Sequence, residues 1–292
     1  MLTNTFCHIP KIGRKTEAQL WEQGVLSWED CLECQGAEFK GKAANRIIHD
    51  VYASVEALEN REVNWFAGRL PANEAWRMFP EFRERTAYLD IETTGMGWED
   101  EAIITSIALW DGHQIRTYIY GQNLRDFRDE IDEYDLLVTY NGKSFDIPFI
   151  ERYFGRTIPH AHIDLRYVLH SLGIKGGLKG SERQFGLDRG DLDGVDGYFA
   201  VLLWNHYRTL GDERALQTLL AYNVQDTINL EHLMVAAYNL KLEETPFAFS
   251  RALREPKLPA NPFTADMEII QQLRQRYGLW GGSERLPQSA GW

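Results

Sequence analysis

The chain has 292 residues, 44% hydrophobic and 25% charged, and its acidic residues outnumber the basic ones for a formal net charge of -12. This composition describes a globular chain with a full core and excludes a collagen-like or disordered one, while the acidic balance excludes a broad basic footprint for duplex nucleic acid. No apolar run reaches membrane-spanning length, the N-terminus lacks a signal-peptide core, and three cysteines are too few for a disulfide framework, so a cytoplasmic location away from membranes is expected.

Residues 1–80 read as a helical region. The run from Phe6 to Thr16 is a tight turn, and Glu17 to Val25 continues it as an amphipathic helix that stops at Gly24. An amide-rich turn carrying Lys11, Arg14 and Lys15 is a physically sensible anion site, and a purely structural helical turn is the competing reading. Cys31 and Cys34 are spaced as CxxC, with Cys7 and His8 available to complete a zinc or cluster site. No second CxxC supports that site, and reduced thiols are ordinary in the cytosol.

Residues 81–243 read as one α/β domain. Strands are expected at 86–92, 102–110 and 114–120, with turns at Gly95-Met96-Gly97 and at Asp111-Gly112, the latter a good hairpin signal. In the first strand the run LDIETTG places Asp90 and Glu92 two residues apart, so both carboxylates point to one face near the strand's end. Two like charges held that close are tolerable if a divalent cation bridges them, and hard oxygen ligands suit magnesium or manganese. A helical or loop segment near 123–133 leads to a buried strand at 135–140. There NGKSFDIPFI follows, with Gly142 breaking the strand, Ser144 placed to cap a helix, and Asp146 in the first turn. The stretch from Asp212 to about Leu242 is a long helix, in which YNVQD sets Tyr222 and Asp226 four residues apart on one face. Residues 244–292 form an arm with Pro246, Pro256, Pro259 and Pro262, followed by a short helix-like run from Thr264 to Tyr277 and a Gly-rich, frayed end.

The segments LDIETTG, NGKSFDIPFI and YNVQD resemble the three exonuclease motifs of the DEDDy nucleases. These belong to the ribonuclease H-like superfamily, which includes the proofreading domains of family-B DNA polymerases, and the resemblance is strongest to the YprB-like predicted exonucleases. It spans roughly residues 80 to 240. It implies a ribonuclease H-like mixed five-stranded sheet flanked by helices, and a metal-dependent 3′-5′ exonuclease acting on single-stranded or frayed 3′ ends, with DNA favoured over RNA. Carried over position by position, it makes Asp90, Glu92, Asp146 and Asp226 the metal-binding acids and gives Tyr222 the attacking water. Thr93, Thr94, Asn141, Lys143 and Phe145, in the same motifs, become candidate nucleic-acid contacts. More loosely, HIDLR at 162–166 and GGLK at 176–179 with Glu182 resemble the stretch between the second and third motifs, so Lys179 and Arg166 are offered to substrate phosphate. The N-terminal turn resembles one helix-hairpin-helix element, departing from it at Lys11, where glycine is usual; Lys11, Arg14 and Lys15 would there contact DNA phosphate.

The chemistry agrees with that assignment. Two divalent cations, Mg2+ or Mn2+, about 4 Å apart activate a water and stabilise the leaving alkoxide. Asp90 is expected to bridge them, Glu92 and Asp226 to complete the nucleophile side, and Asp146 to serve the second ion. A tyrosine hydroxyl of pKa about 10 orients a water better than it deprotonates one. Two alternatives are a ribonuclease H-type endonuclease or resolvase, and a catalytically silent nucleic-acid-binding protein. The acidic chain has to bind nucleic acid through local basic residues and its ions, with a protein partner as a further source of positive charge.

Overall fold

The computed structural model describes residues 1–33, 42–95 and 102–279. Met96 and Gly97 of the first expected turn, Cys34 of the CxxC pair and the Gly-rich end lie outside them. Five strands form one mixed sheet: β1 (Thr86–Thr93), β2 (Ile104–Trp110), β3 (Ile115–Ile119), β4 (Leu136–Thr139) and β5 (Ala161–Asp164), in the order β3-β2-β1-β4-β5. β1, β2 and β3 are antiparallel neighbours, and β4 runs parallel to both β1 and β5. The hairpin between β2 and β3 turns at Gly112, whose φ of +88° is left-handed. Asp111 accepts the N–H groups of His113 and Gln114 there, at 2.8 and 2.7 Å.

The period-two pattern of β1 decides what each face does. Ala87, Leu89 and Ile91 pack with Phe127, Ile131, Phe149 and Ile150 on one side. Tyr88 packs on the other with Trp76, Phe79, Val224 and Ile228, so Asp90 and Glu92, in step with Tyr88, face the side covered by the helix Glu213–Leu242. That 30-residue helix starts where Asp212 accepts the Arg214 N–H at 3.1 Å, the point the sequence marks. A third cluster joins its first half to the helices Gly197–Leu210 and Met267–Tyr277.

The N-terminal helical region shares the core on the Tyr88 side: Phe6, Trp28, Phe66 and Trp76 are buried in the same cluster as Tyr88 and Val138. Inside it the fully buried Arg77 lies between Glu74 at 2.7 Å and Glu17 at 2.9 Å, while Glu17 also accepts the N–H groups of Phe6 and Cys7. A buried guanidinium satisfied on both sides fixes the turn at residues 6–12 to the rest of the region. The long helix and the arm that follows it are tied together by Asn239, which bonds Leu253 through both its amide groups, and by Asn261, which donates to the Ala221 carbonyl at 2.8 Å.

Candidate active site

The acids meet at the carboxyl end of β1. Among the described residues, Asp90, Glu92 and Asp226 form the one group of His, Cys, Asp or Glu side chains that offers three ligand atoms close together: one oxygen from each lies within 4.8 Å of the others. Just past Glu92 the β1–β2 pairing shifts register, an irregularity that ends regular pairing beside the site. Asp226 reaches in from the long helix, and Tyr222 sits one turn before it, buried at 5% exposure.

Asp146 flanks the cluster. It begins the helix Asp146–Phe154, which closes on Gly155 at a left-handed φ of +62°, and its Oδ1 accepts the Ile91 N–H at 3.2 Å, between Asp90 and Glu92 in sequence. The helix is not capped by Ser144 as the sequence suggests. Phe145 occupies the cap position without a side-chain bond, and the preceding loop is held instead by Asp164, a buried residue at the end of β5. Asp164 accepts the N–H groups of Asn141 at 2.8 Å and Lys143 at 3.1 Å, and it also caps the helix Leu165–Ser171. A carboxylate taking two backbone donors of that loop, and itself anchored by the helix it caps, fixes the loop more firmly than a serine hydroxyl would.

Burial dominates the electrostatics. It pushes the Asp90 carboxyl up to about 7, opposed by the hydrogen bond from Asn223 and by the nearby Arg189. Glu92 is raised well above the ordinary carboxylate range, first by burial and then by Asp90 and Asp146. Asp146 is raised by burial and by Asp90, against the Ile91 N–H that stabilises its charged form. The Tyr222 hydroxyl is also raised, by burial and then by Glu92 and Asp90, so it stays protonated at neutral pH and is suited to donating or accepting one directed hydrogen bond. Such a group of acids is ionised together only with added positive charge, and its all-oxygen donor set fits hard divalent cations.

Two residues that the motif reading does not single out complete the site. Asn223, beside Tyr222, donates to Asp90 Oδ2 at 2.7 Å and accepts from Ser106 Oγ at 2.9 Å, which fixes one Asp90 oxygen. Arg189, from the segment after the helix Gly177–Gln184, pairs with Asp226 and with Glu182, the latter at 3.1 Å. Periodicity identifies neither: Asn223 is one polar residue on a mixed helix, and Arg189 stands in a charged stretch that reads as solvated surface.

The proposed contact residues divide by place. Lys179 lies at the site, its Nζ 5.2 Å from the Tyr222 ring centroid and bonded to the Val195 carbonyl, with burial lowering its pKa to about 8. Thr93 bonds the Gly95 carbonyl at 2.8 Å, and Thr94 pairs with Ile103 across the strand end. Asn141 takes a left-handed φ of +68° and accepts from Arg166, Lys143 is exposed, and the Phe145 ring packs tilted against Phe149 with centroids 5.6 Å apart. Lys11, Arg14 and Lys15 are exposed on the N-terminal region, with Arg14 paired to Glu74 at 3.3 Å and Glu244 at 2.5 Å. Cys7 and Cys31 are both buried, and burial pushes the Cys7 thiol up to about 12, unlike a thiolate ligand.

The chain is similar in structure to the family B DNA polymerase of the hyperthermophilic archaeon Pyrobaculum calidifontis, at 19% identity and a TM-score of 0.42, over 58% of this chain and 27% of the polymerase. It thus spans little more than a quarter of that enzyme's length. No curated protein matches it. A family model described as the RNase_H superfamily matches residues 87–238, a segment that contains β1 from its second residue, the other four strands and every carboxylate of the site. More than half of the chain fits that model, and the protein belongs to the ribonuclease H superfamily.

Proposed function

We propose that this protein is a metal-dependent nuclease of the DEDDy type, a 3′-5′ exonuclease that hydrolyses phosphodiester bonds at single-stranded or frayed nucleic-acid ends. The observation that carries the reading is the convergence of Asp90, Glu92 and Asp226 within 4.8 Å, with Tyr222 one helical turn from Asp226 and Asp146 on the adjoining backbone. Asp90, Glu92 and Asp226 would hold a divalent cation, with Asp146 beside them to serve a second. Bound there, such ions lower the pKa of water and offset charge on the leaving oxygen. The chain's own groups supply order. Asn223 holds Asp90 by one oxygen, the neutral Tyr222 hydroxyl orients the water, and Lys179 adds a positive charge on the Tyr222 side.

Exonuclease action is favoured over an internal cutter by the buried Tyr222, which the endonuclease chemistry does not require. The test is degradation of end-labelled single-stranded DNA, duplex DNA and RNA in Mg2+ or Mn2+, beside a circular substrate. Stepwise loss from the 3′ end yielding 5′-monophosphates is expected, with DNA preferred. Cleavage of the circle alone, or no cleavage by a protein that binds Mn2+, overturns the reading.

A further inference from the structure

Arg189 is bound as no purely structural counter-ion needs to be. Its side chain is 6% exposed and the guanidinium forks: Nε lies 3.1 Å from Glu182 Oε2, and Nη2 contacts Asp226 Oδ1. Glu182 is fully buried and accepts from Asn229 Nδ2 at 2.7 Å through its other oxygen. Asn229 and Asp226 lie one turn apart on the long helix, so the four side chains close a ring from Asp226 through Arg189, Glu182 and Asn229 back to the same helix. The ring leaves Arg189 attached at one end to Glu182, which is not part of the candidate metal cluster, and at the other to Asp226, which is. The guanidinium carbon also stands 5.4 Å from the Tyr222 ring centroid.

A divalent cation among Asp90, Glu92 and Asp226 and a guanidinium on Asp226 compete for one charge and repel each other. Released from Asp226, the arginine keeps its Nε contact with Glu182, and its terminal nitrogens stay at the site as a planar fork of the kind that binds a phosphate in two places. Building on the nuclease reading, we propose that Arg189 is a resident cation of the metal-free site, handed from Asp226 to a phosphate of the bound nucleic acid when an ion loads. Ion loading and phosphate binding then assist each other, because a linkage of this kind is reciprocal.

The handover is tested by calorimetric titration of the full chain with Mn2+, without and with the mononucleotide dTMP as the phosphate probe. In R189Q, Asp226 is free at the outset. Mn2+ without nucleotide should bind about fivefold or more tighter than in the wild type, and the further tightening brought by dTMP should shrink by a similar factor. Because R189Q leaves Glu182 buried without its partner, the double variant E182Q/R189Q is titrated as well; it removes both charges and leaves an amide oxygen for Asn229. Tightening that persists in the double variant supports the handover. Tightening lost there reflects net charge alone and overturns it, as does unchanged or weaker Mn2+ binding in both variants. A wild type that binds Mn2+ and cleaves ends while the variants show no tightening refutes the handover only; a wild type that neither binds Mn2+ nor cleaves refutes the nuclease reading beneath it.

Discussion

Replacing Asp90 by asparagine should stabilise the metal-free protein at alkaline pH and destroy its activity. The folded protein holds the Asp90 carboxyl at about 7 against an ordinary 3.8, so folding favours the protonated form. Below the unfolded value both states carry the proton and the effect vanishes. It grows as pH rises from 3.8 to about 7, where the folded state must give up a proton it prefers to keep, and is complete above 7 as a penalty of up to about 4 kcal/mol. Asparagine removes that penalty, and its amide oxygen can still accept from Asn223, at the loss of about 1 kcal/mol of charge-assisted bonding. The net gain is about 3 kcal/mol at pH 8, or roughly 6 °C for a chain of this size, shrinking toward zero near pH 4. The assay is thermal unfolding of the wild type and D90N in EDTA between pH 4 and 8.5, repeated with saturating Mn2+, which should restore the wild type to the more stable position. A melting difference that is independent of pH in EDTA, or a D90N protein less stable than wild type at pH 8, would refute the reasoning.

Three further outcomes follow from the same geometry. Tyr222→Phe keeps the buried ring but loses the hydroxyl, so single-turnover cleavage should fall by about tenfold or more while Mn2+ affinity, read by calorimetry, stays within twofold. Asn223→Ala frees the Asp90 oxygen and strands Ser106 Oγ, which should cost about 2 kcal/mol in denaturant unfolding and lower turnover at saturating Mn2+; a variant of unchanged stability would show that the bonds at 2.7 and 2.9 Å carry nothing. Gly142→Ala would place a methyl 2.2 Å from Thr139 Oγ1 and 2.6 Å from its Cβ, so the loop ahead of Asp146 must shift, with an expected loss of about 1–3 kcal/mol; equal unfolding midpoints for variant and wild type would contradict this.

The sheet and the acid face were readable because both depend on local periodicity. Alternation in β1 separates Ala87, Leu89 and Ile91 from Tyr88, Asp90 and Glu92, and the structure puts the two sets on opposite faces as alternation requires. The long helix was readable for the same reason, with both its ends close to where the periodic stretch begins and stops. What escaped depends on residues far apart in the chain. Ser144 is a good local cap, yet Asp164 secures the loop from the end of the next strand. Arg189 gains its meaning only when the turn-rich segment after Gln184 folds onto the long helix and meets Asp226. Polar residues in a loop look alike until tertiary structure removes them from water.

The continuous core on the Tyr88 side bears on how the protein can be taken apart. A fragment cut at residue 81 to isolate the nuclease-like portion would lose Phe6, Trp28, Phe66, Trp76 and Phe79, and bare the Tyr88, Val138 and Ile228 side chains they cover. The exposed surface would lie on the sheet face that carries Asp90 and Glu92, next to the site rather than at a remote boundary. Such a fragment should be recovered as aggregate or as a loosened fold with displaced acids. The helical region therefore walls the sheet face that carries the acids, and mutations there should disturb the candidate site without any contact with substrate.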